Sequence, residues 1–146
     1  PCCSQDKPLG NGKVNVTKVG LAGLRVLCVD DKQENLDAMQ TLLDKWQVNV
    51  TTALTPEEAM AEVKLCEPQV ILMDYHLDSE INGLQLIANM RKFLGYPIPA
   101  ILVTANQDEE IVTEAFNANC NYLSKPLKPA KLRALLQAVQ VEGARR

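Results

Sequence analysis

Five polar residues carry the chemistry this sequence could do, and each follows directly on a run that reads as a strand. Asp30 and Asp31 follow residues 25–29, Asp74 follows 70–73, Thr104 follows 100–103 and Lys125 follows 121–124. Three carboxylates brought within several ångströms would repel one another, and each would hold its proton more tightly than usual. A hard divalent cation resolves that conflict, since Mg²⁺ takes carboxylate and water oxygens and keeps several of its waters. A carboxylate is also a nucleophile that forms acyl-phosphates. Such a transfer needs in-line positioning and neutralisation of the phosphoryl oxygens more than covalent help. The metal, the Lys125 ammonium and the Thr104 hydroxyl are expected to supply it, with Asp74 as acceptor.

The elements that must position these residues follow from periodicity. Residues 70–74, Val-Ile-Leu-Met-Asp, are apolar without alternation until the acid. Such a run predicts a strand covered on both faces, at the centre of a parallel sheet. Strands are also predicted at 24–29, 48–52, 100–104 and 121–124. Between them, apolar residues at helical spacing predict helices over 32–46, from Pro56, from Leu84 to Leu94, over 109–118 and over 129–141. Thr55 reads as an N-cap with Pro56 at the first helical position and Glu58 closing a capping box. Ile111, Val112, Ala115 and Phe116 are expected to form the inner face of the fourth helix. Residues 75–83, ending in Asn-Gly, read as a loop. Five strand–helix alternations predict an α/β fold, a five-stranded parallel sheet with helices on both faces. All five polar residues then project from the carboxyl edge, where open α/β sheets bind ligands.

The bulk numbers set limits. One domain is the default for 146 residues, and 47% hydrophobic residues suffice for a core. A formal net charge of −3 gives no basic footprint for nucleic acid. No apolar run reaches the length of a membrane span, so no membrane contact by this domain is expected. The five cysteines are odd in number, irregularly spaced and without a C-x-x-C, which predicts reduced thiols rather than disulfides or a zinc site. Cys28 lies in an apolar strand and reads as a small core residue. Residues 1–22 read as a linker or tail, 23–141 as the folded domain and 142–146 as a C-terminal tail. The chain opens on Pro1 rather than Met, as a piece of a longer protein would.

The same residues resemble the response-regulator receiver domains of two-component signalling over about residues 23–141. The resemblance rests on Asp30-Asp31, Met73-Asp74, Thr104-Ala105 and Lys125-Pro126, in order at successive strand ends. It implies a flavodoxin-like doubly wound fold, Asp74 as the phosphorylated residue, and Mg²⁺ bound by Asp31, Asp74 and the backbone carbonyl of His76, with Asp30 acting through water. Lys125 would pair with the phosphoryl group, and the Lys125–Pro126 bond would be cis. Tyr122 falls where the family has a switch aromatic paired with Thr104, and His76 and Asn106 fall where hydrolysis is tuned. The implied partners are a histidine kinase or a histidine phosphotransfer domain. A dimer through the helix 4–strand 5–helix 5 face and a cytoplasmic location are also implied. The wording Asp-Tyr-His-Leu-Asp (74–78) and the stretch 126–136 look like the C-terminal receiver of a hybrid sensor histidine kinase. One stretch departs from the family pattern: position 78 is Asp where a proline is usual, and Gly83 comes nine residues after Asp74 rather than eight.

Plainer readings stand beside these. The acids could be solvated loop residues, Thr104 a helix N-cap or turn former, Tyr122 a packing residue and His76 a side chain at the pocket rim. A stand-alone response regulator is an alternative to the hybrid kinase. A Mg²⁺-dependent phosphohydrolase with an aspartate nucleophile is another, but that class needs Asp-x-Asp after its first strand, and here the residues are Asp30-Asp31-Lys32.

Overall fold

A computed structural model describes residues 21–77, 79–105 and 109–144, with the backbone alone from 141. The elements alternate as β1 (Arg25–Val29), α1 (Gln33–Asp44), β2 (Asn49–Ala53), α2 (Pro56–Cys66), β3 (Val70–Asp74), α3 (Gly83–Leu94), β4 (Ala100–Thr104), α4 (Glu109–Asn117), β5 (Asn121–Ser124) and α5 (Pro129–Ala144). The strands form one sheet in the order β2-β1-β3-β4-β5, every pair parallel. The strand containing Asp74 is central and fully buried, as its unbroken apolar run predicts.

Side-chain alternation along the strands divides the core in two. Val26, Cys28, Val70, Leu72, Ile101 and Val103 pack on Leu36 and Leu43 of α1 and on Leu132, Leu136 and Val139 of α5. Leu27, Val29, Ile71, Met73 and Leu102 pack on the opposite face, against α2, α3 and α4. Both helical layers are therefore pinned to the same three inner strands. Cys28 is a core residue, its thiol pushed far up by burial and then by the charge of Asp30. Cys2 and Cys3, with most of the segment 1–22, lie outside the described residues.

The helix ends refine the sequence expectations. Thr55 caps α2 by accepting the Glu58 N–H at 3.1 Å. The Glu58 carboxylate, however, accepts the N–H of Leu54 at 2.7 Å, one residue ahead of the reciprocal partner a capping box requires. The full box is at α3, where Asn82 and Gln85 each take the other's backbone N–H, at 2.9 and 2.8 Å. The Asn-Gly pair read as loop is thus the start of a helix. In α4 only Ile111 and Ala115 face inward, while Val112 and Phe116 are exposed, Phe116 by 80%. A helix over one sheet face buries a single stripe, and neighbours one residue on fall outside it. The first helix ends at Asp44, because Gln47 adopts φ 61° and the Val48 N–H turns back to the Leu43 carbonyl.

The long loop after β3 is closed by Gly83. Its N–H donates to the Tyr75 carbonyl at 2.8 Å, while the Tyr75 N–H donates to Val103 on β4 at 2.9 Å. A Cβ on Gly83 would collide with the Asp74 carbonyl oxygen and lie 2.8 Å from Met73 Cγ. Since neither backbone nor packed core yields easily, Gly83→Ala is expected to cost about 1–3 kcal/mol of stability, the range for overpacking a core. Urea denaturation measures this; an unchanged midpoint would show that the loop re-closes elsewhere.

Candidate functional site

Asp30, Asp31 and Asp74 meet at the carboxyl edge because β1 and β3 are neighbours in register, Val29 opposite Met73. Each acid offers one carboxylate oxygen, and the three lie within 4.8 Å of one another. Asp30 and Asp74 are buried and Asp31 half-buried. From the other side, β4 and β5 end level with them, Thr104 opposite Ser124. The Lys125 N–H donates to the Thr104 carbonyl at 2.9 Å. That leaves the Lys125 side chain to reach back across the edge, with Nζ 3.0 Å from Asp74 Oδ1 and 3.6 Å from Asp30 Oδ2. The Lys125–Pro126 peptide bond is cis. Thr104 is the fully buried last residue of β4.

The electrostatics follow from the crowding. Burial pushes the Asp74 carboxyl above its usual range, and the charges of Asp30 and Asp31 push the same way; the hydrogen bond and charge of Lys125 oppose them without overcoming them. Burial alone would lower Lys125, but its hydrogen bond to Asp74 and the charges of Asp74 and Asp30 outweigh it and raise the ammonium's pKa. The site therefore holds one firmly protonated amine against three acids, an excess of negative charge that suits a cation. The donor set is all oxygen, as hard Mg²⁺ or Ca²⁺ prefers.

Asp30 is held in place by α1. Its Oδ1 accepts the Lys32 N–H at 3.0 Å, and the Asn35 side-chain amide donates to Oδ1 and Oδ2 at 3.3 and 3.2 Å. Sequence reasoning missed Asn35. Its signal was an amide in the first turn of a helix opening just after an acid pair. Asp30, Asn35, Asp74 and Lys125 also line a cavity of about 300 Å³, together with Met39 and Leu127.

The remaining expected residues divide. Tyr122 is half-buried and packs against the α2–α3–α4 side of the core. The His76 side chain is exposed, its ring edge-on to Tyr75 at 4.9 Å between centroids. Asn106 and Asp78 lie outside the described residues.

These directions predict a pH dependence for the metal-free protein. Asp74 binds its proton more tightly folded than unfolded, so its contribution to stability is full below the ordinary value of 3.8 and is lost as pH rises through the folded value. An Asn at 74 mimics the protonated form and can still accept from Lys125. Metal-free Asp74→Asn should therefore unfold at higher denaturant than the parent at pH 7.5, and the gap should close near pH 4. A less stable variant at neutral pH would contradict the crowding.

Residues 26–137 match the profile of the response regulator receiver domain. The transcriptional regulatory protein KdpE of Staphylococcus aureus is 29% identical over 117 residues, covering 80% of this chain and 49% of its own. The autoinducer 2 sensor kinase/phosphatase LuxQ of Vibrio cholerae is 30% identical over 115 residues, 78% of this chain and 13% of its own. The chain thus spans about half of the first relative and a small part of the second. Among solved structures, the chemotaxis protein CheY4 of Vibrio cholerae superposes with a TM-score of 0.73 at 26% identity, covering 81% of this chain and 99% of that one. The fold, the sheet order and the match over most of its length place the chain in the response regulator receiver domain family.

Proposed function

We propose that Asp74 accepts a phosphoryl group from a phosphohistidine, and that the domain relays a signal by the change in charge and conformation that follows. The observation that supports this most is the convergence of three carboxylates within 4.8 Å with Lys125 Nζ 3.0 Å from Asp74. A buried carboxylate beside a fixed amine, at the open edge of a sheet, can attack phosphorus in line. The Asp74 oxygen–phosphorus bond forms, the nitrogen–phosphorus bond of the donor breaks, and the imidazole leaves with a proton from solvent. Lys125 would pair with one phosphoryl oxygen, and Thr104 would donate its hydroxyl to another. Asp31, Asp74 and the His76 carbonyl would hold Mg²⁺ directly, with Asp30 acting through water; the cation would neutralise charge that the acids would otherwise turn against the phosphoryl group. His76 and Asn106 would tune hydrolysis of the acyl-phosphate.

The output runs through Thr104 and Tyr122 to the surface of α4, β5 and α5. Exposed Val112 and Phe116 on α4 support an apolar contact there, with a second copy or a downstream partner. The donor is a histidine kinase or a histidine phosphotransfer domain, and the place of action is the cytoplasm. The likeness to LuxQ supports a receiver within a hybrid sensor kinase; the likeness to KdpE supports a separate response regulator. Among the described residues no helix is long and apolar enough to cross a membrane.

Labelled phosphoryl uptake from a phosphohistidine donor tests the reading. Asp74→Asn should fall to background, as should the parent in excess EDTA, with recovery on adding Mg²⁺. Thr104→Ala should still take up label but lose the phosphorylation-dependent change in association. Full uptake by Asp74→Asn would refute the assignment.

A further inference from the structure

We infer that Asn35 sets which divalent cation the acid cluster takes, by keeping Asp30 from ligating it directly. This rests on the cluster being a metal site. An ionised carboxylate offers about four lone-pair positions. Those of Asp30 are largely engaged: Oδ1 faces the Lys32 N–H and the Asn35 amide at 3.0 and 3.3 Å, and Oδ2 faces the Asn35 amide and Lys125 Nζ at 3.2 and 3.6 Å. Asp31, by contrast, has no hydrogen bond or ion pair with another described residue, and Asp74 has Lys125 on one oxygen. Asn35 touches both oxygens of Asp30 and so fixes the plane of the carboxylate. The Lys32 N–H holds one oxygen and would leave that plane free to turn.

The consequence is a site with two direct carboxylates and a third held back. A cation there must keep several waters, which suits Mg²⁺, an ion that dehydrates reluctantly and demands near-octahedral geometry. Ca²⁺ takes six to eight oxygens in looser arrangements and gains from each further protein ligand. Freeing Asp30 supplies such a ligand, so loss of the Asn35 amide favours Ca²⁺ over Mg²⁺. A residue serving only as cavity wall or helix opening would change both affinities alike.

Calorimetric titration of Mg²⁺ and Ca²⁺ into the full chain tests this, with the metal-free melting temperature recorded alongside. In Asn35→Ala the Mg²⁺/Ca²⁺ affinity ratio should shift toward Ca²⁺ by about tenfold, the low end of what partners of metal ligands control. Asn35→Leu, which keeps the volume and removes the donor, should shift it the same way. Adding Asn35→Ala to Asp30→Asn should leave the ratio of that variant unchanged, because the freed ligand is gone. An unmoved ratio in both Asn35 variants, with cations still bound, would overturn the inference alone. So would a shift that persists beside Asp30→Asn. Failure of the parent to bind either cation would overturn the metal site and this inference with it.

Discussion

Everything at the carboxyl edge depends on one electrostatic conflict. Asp30, Asp31 and Asp74 are held within 4.8 Å by neighbouring strands whose positions are fixed from both sides by packed helices. The backbone cannot relax the conflict, because β3 is buried along its whole length between β1 and β4. One amine only partly offsets it. The site is therefore left with an excess of negative charge that suits a cation.

The surrounding residues serve to hold that conflict in one geometry. Asn35 and the Lys32 N–H orient Asp30 from α1. The Thr104 carbonyl anchors the backbone of Lys125, so that the amine returns across the edge. Gly83 and Asn82 bring the loop after Asp74 back onto the strand end despite its extra residue. Each contact comes from a different element, so the site is a product of the whole sheet rather than of a local motif.

Much of this was legible in the sequence. Unbroken apolar runs marked β3 and β4 as inner strands, and the acids and lysine after the runs marked the edge where Asp30, Asp31, Asp74 and Lys125 meet. What periodicity could not supply was side-chain direction at short range. Val112 and Phe116 were expected inward because they adjoin Ile111 and Ala115, yet a helix on a sheet buries one stripe only. The Asn-Gly pair at 82–83 has the composition of a turn, and only the reciprocal bonds with Gln85 show it to be a helix start. Asn35 escaped notice because its role lies in a contact with Asp30, and contact geometry is invisible to a pattern of residue types.

The central claim is that the phosphoryl group sits on Asp74. The direct measurement is to incubate the chain with a phosphohistidine donor and Mg²⁺, trap with hydroxylamine, and map the product by peptide mass spectrometry. The expected product is a hydroxamate at Asp74 that disappears when the donor is left out. A phosphoryl group mapped to His76, or trapping at Asp30 or Asp31 in place of Asp74, would contradict it.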